Sequence, residues 1–173
     1  MLKEVISLEK KKIDLTNIKV VIFDFDDTLA IHKNKDYVNQ RNENKEILLN
    51  YYSNGYLNPD TFYDIIEPCT ISSQLQKVVE ICEMQGIKMY CVSGMKFSFH
   101  LKAKENFLRK YYSEHIEVIS ARSQELKCDA IRIIQRINKC DLNEIVFIDD
   151  IKDNIIRFNN MGIHGFLPEE IEL

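Results

Sequence analysis

No stretch of this sequence approaches the roughly 20 apolar residues that a membrane-crossing helix requires. Met1–Lys12 alternates charged and apolar residues where a signal peptide would carry a continuous apolar run. No long block of one charge occurs either. The 23 Lys and Arg stand against 27 Asp and Glu, a formal charge of −4, and the basic run Lys10–Lys12 reads as a solvated face. Nothing in this balance calls for nucleic acid or a membrane as partner. The cysteines (Cys69, Cys82, Cys91, Cys128 and Cys140) are odd in number and never spaced C-x-x-C. That argues against a disulfide framework and a zinc site, and it fits a reducing compartment. Internal repeats and low-complexity segments are also lacking. A cytoplasmic protein is expected.

What is present is an alternation. At 173 residues, 45% hydrophobic and 29% charged, the chain is long enough for one core with a small insertion. Short apolar, β-branched runs predict strands at Lys19–Phe25, Lys88–Val92, Ile116–Ile119, Glu144–Ile148 and, more weakly, Ile163–Leu167. Helical patterns fall between them at Ser73–Gln85, Phe97–Tyr112, Gln124–Asn138 and Ile151–Asn160. Gly86 and Gly162 are placed to close two of these helices. Strand–helix alternation implies parallel β-α-β units with right-handed crossovers. The expected fold class is therefore α/β, a Rossmann-like three-layer sandwich around a central parallel sheet.

The segment His32–Pro68 interrupts this order. It is polar and rich in tyrosine (Tyr37, Tyr51, Tyr52, Tyr56, Tyr63), with a turn at Asn54-Gly55 and a helix start at Asn58-Pro59. It is too short for an independent domain and reads as a small, mainly helical cap. The expected division is a core of residues 1–31 and 69–173, with residues 32–68 as the lid.

In a parallel sheet, ligands gather at the carboxyl ends of the strands. Here three runs end in Asp24/Asp26, in Ser93-Gly94 and in Asp149-Asp150, and Lys127 opens the helix after another. A strand ending in two carboxylates is poor strand material. A tight turn after Asp24 would bring Asp26 up beside it, where paired carboxylates raise one pKa or recruit a cation. Either outcome suits a nucleophile and a general acid. Asp27 reads better as a turn or cap residue. A second acid pair on the same rim adds repulsion that a hard divalent cation relieves, and magnesium fits because it takes a few carboxylates and coordinates phosphate. Asp153 reads as surface. Ser93 with the Gly94 amide forms a phosphate cradle, and Lys127 supplies a compact charge.

The order acid pair, hydroxyl, lysine, acid pair resembles the haloacid dehalogenase superfamily of phosphohydrolases across Lys19 to Leu167. Asp24-x-Asp26-x-Thr28 is similar to its first motif, Ser93 to its second, Lys127 to its third and Asp149-Asp150-x-x-x-Asn154 to its fourth. The stretch from Val146, with Met161-Gly162-Ile163, is similar to the branch with a lid after the first strand. The resemblance implies that Asp24 attacks phosphorus and forms an aspartyl-phosphate. It implies that Asp26 protonates the leaving oxygen and then activates water, and the presence of Asp26 disfavours dehalogenation. Magnesium would be held by Asp24, the Asp26 carbonyl and Asp150, with Asp149 directly or through water. Thr28, Ser93, Gly94 and Lys127 would bind the phosphoryl group.

The expected partner is a phosphorylated substrate, a sugar phosphate or a nucleotide among the options. His32, Phe97, His100 and Lys102 are placed to line the site, though each is also ordinary helix surface or core. Two other readings stay open: a phosphotransferase or mutase using the same intermediate, and a non-catalytic phosphate-binding module such as a receiver domain. Receivers carry their lysine last, whereas Lys127 precedes the final acid pair. Ile13, Leu15 and Ile18 are expected to pack on the sheet edge.

Overall fold

The computed structural model of the chain describes residues 10–33, 65–69, 72–95, 99–121 and 123–173. Its strands are β1 (Lys11–Lys12), β2 (Val20–Phe23), β3 (Ala30–His32), β4 (Ile66–Pro68), β5 (Lys88–Gly94), β6 (Ile116–Ala121), β7 (Ile145–Ile148), β8 (His164–Phe166) and β9 (Ile171–Glu172). The described helices are α1 (Ser72–Gln85), α2 (Phe99–Tyr111), α3 (Gln124–Asn138) and α4 (Lys152–Asn160).

Five strands form one parallel sheet in the order β6-β5-β2-β7-β8. Because β2 lies in the middle, its residues are buried on both faces, which explains its unbroken Val-Val-Ile-Phe composition. Alternate side chains enter two cores. Val21 and Phe23 join Leu75, Val78 and Cys82 of α1 and Phe107 of α2. Val20 and Ile22 join Ile131 and Ile134 of α3 and Ile155 and Phe158 of α4. This is the expected three-layer α/β sandwich. Phe147 and Phe158, with ring centroids 4.4 Å apart, tie the sheet to α4.

The helix ends follow from local chemistry. Gly86 (φ 69°) ends α1, where its amide bonds to Glu83 and the Ile87 amide bonds to Cys82. Gly162 (φ 92°) and Ile163 repeat the pattern after α4 on Asn159 and Phe158. These paired bonds occupy carbonyls that a helix end leaves open, and the left-handed backbone is cheap only for glycine.

Two features exceed the sequence reading. β3 and β4 pair antiparallel where the expected insertion leaves and rejoins the core; residues 34–64, with the expected cap helices and tyrosines, lie outside the described residues. β1 pairs with β9, joining the two ends of the described chain. Ile13, Leu15 and Ile18 are buried within the first core. Among the described residues, no helix is long and apolar enough to cross a membrane.

Candidate active site

Every strand of the parallel sheet delivers its carboxyl end to the same rim, and the site is built there. β2 stops at Phe23, and the Asp24 amide donates to the Ile148 carbonyl of β7 (2.8 Å). The chain then turns sharply. The Leu29 and Ala30 amides both donate to the Phe25 carbonyl, and Asp27 adopts a left-handed φ of 61°. Aspartate tolerates that region better than most residues, which explains Asp27 as a turn residue. The turn leaves Asp26 near enough to Asp24 for its charge to raise the Asp24 carboxyl.

Asp24 is buried, and Lys127 from the first turn of α3 reaches its Oδ1 at 3.0 Å. The same ammonium reaches Asp149 Oδ2 at 3.1 Å. Asp149 is fully buried at the end of β7 and its oxygens are well occupied. Oδ1 accepts from the Ile151 amide (2.8 Å), and Oδ2 also accepts from Asn154 Nδ2 (2.9 Å). Asn154 therefore serves the site from inside α4, while Asp153 is exposed. Asp150 is half-buried. Its amide donates to Thr28 Oγ1 (3.1 Å), and the Thr28 hydroxyl lies 3.4 Å from Asp150 Oδ1. Thr28 thus couples the first motif to the last.

Electrostatics set these acids apart from surface carboxylates. Burial pushes the Asp24 carboxyl up to about 7; Lys127 pulls against this, while Asp149 and Asp26 add to it. Burial and then Asp149 push Asp150 up to about 6. Burial opposes the charge of Lys127, but Asp24 and Asp149 outweigh it and raise its pKa. Asp24, Asp149 and Asp150 each offer an oxygen, and these oxygens lie within 4.8 Å of one another. Three hard donors in repulsion form a set able to hold a hard cation such as magnesium.

Asp26 occupies a separate flank. Its Oδ2 is 2.8 Å from Lys104 Nζ, and its Oδ1 is 3.9 Å from Nε2 of the buried His32. Lys104 also donates to Ser93 Oγ (2.6 Å) and lies 3.4 Å from the Gly94 carbonyl. Lys104 lies outside the sequence motifs. The signal was available in the helical period: His100, Ala103, Lys104, Phe107 and Leu108 form the buried side of α2, so a lysine stands among core positions. Lys102, placed near the site from sequence, is exposed and faces Glu105 at 3.6 Å. His100 is buried, and Phe97 lies outside the described residues.

No protein-family model and no curated protein matches the sequence. Solved structures do match in fold. A haloacid dehalogenase family enzyme from Bacteroides thetaiotaomicron, an aspartate-to-alanine mutant in complex with magnesium and inorganic phosphate, shares 14% identity at a TM-score of 0.54, covering 86% of this chain and 93% of that one. A haloacid dehalogenase-like hydrolase from Streptococcus pneumoniae also shares 14% at 0.54, over 88% and 85%. The N-terminal part of a Bacteroides fragilis protein containing a phosphatase domain, complexed with magnesium, shares 20% at 0.53, over 88% and 38%. The chain has the fold of the haloacid dehalogenase superfamily.

Proposed function

We propose that this protein is a magnesium-dependent phosphatase that hydrolyses a phosphomonoester through an aspartyl-phosphate on Asp24. One observation carries the reading: a buried carboxylate stands at the rim of this fold with Lys127 on one oxygen and two further acids within metal-sharing distance. Two fold neighbours support it in kind, since one was solved with magnesium and inorganic phosphate and another as a phosphatase domain with magnesium.

Asp24 and Asp150 would hold the ion through their carboxylates and Asp26 through its main-chain carbonyl. Asp149, already occupied by Lys127, Asn154 and the Ile151 amide, keeps the set in place or reaches the ion through water. When bound, magnesium neutralises the acids and the incoming phosphate.

An Asp24 oxygen attacks phosphorus in line, and the bond from phosphorus to the leaving oxygen breaks. Asp26 gives its proton to that oxygen. Water then attacks the same phosphorus, Asp26 takes the proton back, and the phosphorus–Asp24 bond breaks to release inorganic phosphate. Lys127 disperses charge as the nucleophile bonds, and the Ser93 hydroxyl and the Gly94 amide orient the phosphoryl oxygens. Such catalysis is chiefly positioning and electrostatic stabilisation. Thr28 acts by fixing Asp150. The substrate is a phosphorylated molecule, with sugar phosphates and nucleotides as the first classes to examine.

The test is phosphate release from an aryl phosphate with magnesium and with excess chelator, with and without a sugar as acceptor. Metal-dependent release that exceeds transfer to the sugar supports a phosphatase. Predominant transfer would identify a phosphotransferase, and no turnover on a broad phosphate panel would leave a phosphate-binding module.

A further inference from the structure

The site contains a second lysine for which the four-motif pattern has no place. Lys104 belongs to α2, its side chain is 1% exposed, and its ammonium lies 4.5 Å from the centre of the Phe25 ring. Burying an ammonium costs several kcal/mol, and an apolar residue of similar volume commonly stabilises a core at least as well. Methionine there would pack on Phe25 without that cost. Fold stability is therefore a weak reason for a lysine at this position.

Its partners supply a better reason. An ammonium has three donors and no acceptor. Here the partners are Ser93 Oγ at 2.6 Å, Asp26 Oδ2 at 2.8 Å and the Gly94 carbonyl at 3.4 Å. Ser93 Oγ must accept from Lys104, so the hydroxyl hydrogen points elsewhere. Asp26 Oδ2 is only at the limit of its reach, at 3.5 Å. That leaves the hydrogen available to an oxygen of a phosphoryl group on the rim. The two lysines divide the site: Lys127 holds Asp24 and Asp149, and Lys104 holds Asp26 and the Ser93-Gly94 cradle.

Resting on the phosphatase reading above, we propose that Lys104 is a positioning residue for phosphate recognition: it aims the Ser93 hydroxyl at the phosphoryl group and anchors the Asp26 carboxylate. It acts through these two side chains rather than by replacing either.

The test measures inorganic phosphate binding in the presence of magnesium, and kcat and KM on an aryl phosphate, for wild type, Lys104→Met, Ser93→Ala and the double variant. A charged hydrogen bond of this kind corresponds to about 10- to 100-fold in affinity, and Lys104→Met is expected to lose that much phosphate affinity. Its thermal midpoint should hold or rise. In the Ser93→Ala background the same substitution should cost at least about threefold less, because coupled residues are not additive. Lys104→Gln, which keeps N–H donors at shorter reach, should fall between wild type and Lys104→Met and also serves if the methionine variant does not fold. Wild-type phosphate affinity in folded Lys104→Met or Lys104→Gln, or fully additive losses with Ser93→Ala, would overturn the role of Lys104 alone. A wild type that neither binds phosphate nor hydrolyses the ester would overturn the phosphatase reading, and this proposal with it.

Discussion

At the scale of residues, the account turns on how charge is placed at the rim. Asp24, pushed up to about 7 by burial first and then by Asp149 and Asp26 against Lys127, holds a proton more readily folded than unfolded. Its contribution to stability is therefore complete below the usual carboxylate range and is lost as pH rises toward 7. Without metal, the thermal midpoint is expected to fall between about pH 4 and about pH 7, less steeply in Asp24→Asn. On the proposed ligand set, magnesium requires Asp24 and Asp150 ionised, so its affinity is predicted to weaken as pH drops through the range from about 7 to about 6. Calorimetric titration at several pH values checks this, and affinity independent of pH would count against Asp24 and Asp150 as ligands. Thr28→Val removes the acceptor of the Asp150 amide. Losing such an outer support typically costs about tenfold or more in metal affinity, and the same titration measures it.

Most of these side chains are legible from their type and order along the chain, because acid pairs at strand ends have few structural uses. Lys104 and the bond between Thr28 and Asp150 are not. Both act sideways between elements: Lys104 reaches from α2 to the β2 turn, and Thr28 reaches from that turn to the end of β7. Sequence spacing reports neighbours along an element, whereas these contacts depend on how elements cross.

At the scale of elements, the strongly apolar runs were readable because central parallel strands are buried on both faces. The order β6-β5-β2-β7-β8 places the first strand in the middle, which is how three strand ends come to share one rim. The short pairs β1–β9 and β3–β4 carry no such signal. Lys11–Lys12 is an exposed basic pair, and its pairing follows from the buried Ile13, Leu15 and Ile171 around it.

The packing of α4 on β8 gives an element-scale test. A methyl group on Gly165 would stand 3.1 Å from both Asn159 Oδ1 and Ile155 Cγ2 and 3.2 Å from the Ile155 carbonyl. Gly165→Ala should therefore destabilise by about 1–3 kcal/mol through overpacking. Gly86→Ala meets nothing within 4 Å and should pay only for its φ of 69°, about 1–2 kcal/mol. Urea unfolding of both variants separates crowding from backbone strain.

At the scale of the whole described chain, two cores lie on opposite faces of one sheet, and the segment before β2 belongs to the first of them. Leu15→Ala is accordingly expected to cost about 2–5 kcal/mol, as for a buried aliphatic side chain. A cost below about 0.5 kcal/mol, the usual size of a surface change, would remove that segment from the core.

The central claim is that Asp24 is the nucleophile, and phosphate release by Asp24→Asn beside wild type, at saturating magnesium, tests it most directly. The amide keeps the shape of the side chain but lacks the attacking carboxylate, so kcat is expected to fall by at least about a thousandfold with the thermal midpoint retained. An Asp24→Asn variant that hydrolyses the ester at the wild-type rate would contradict the account.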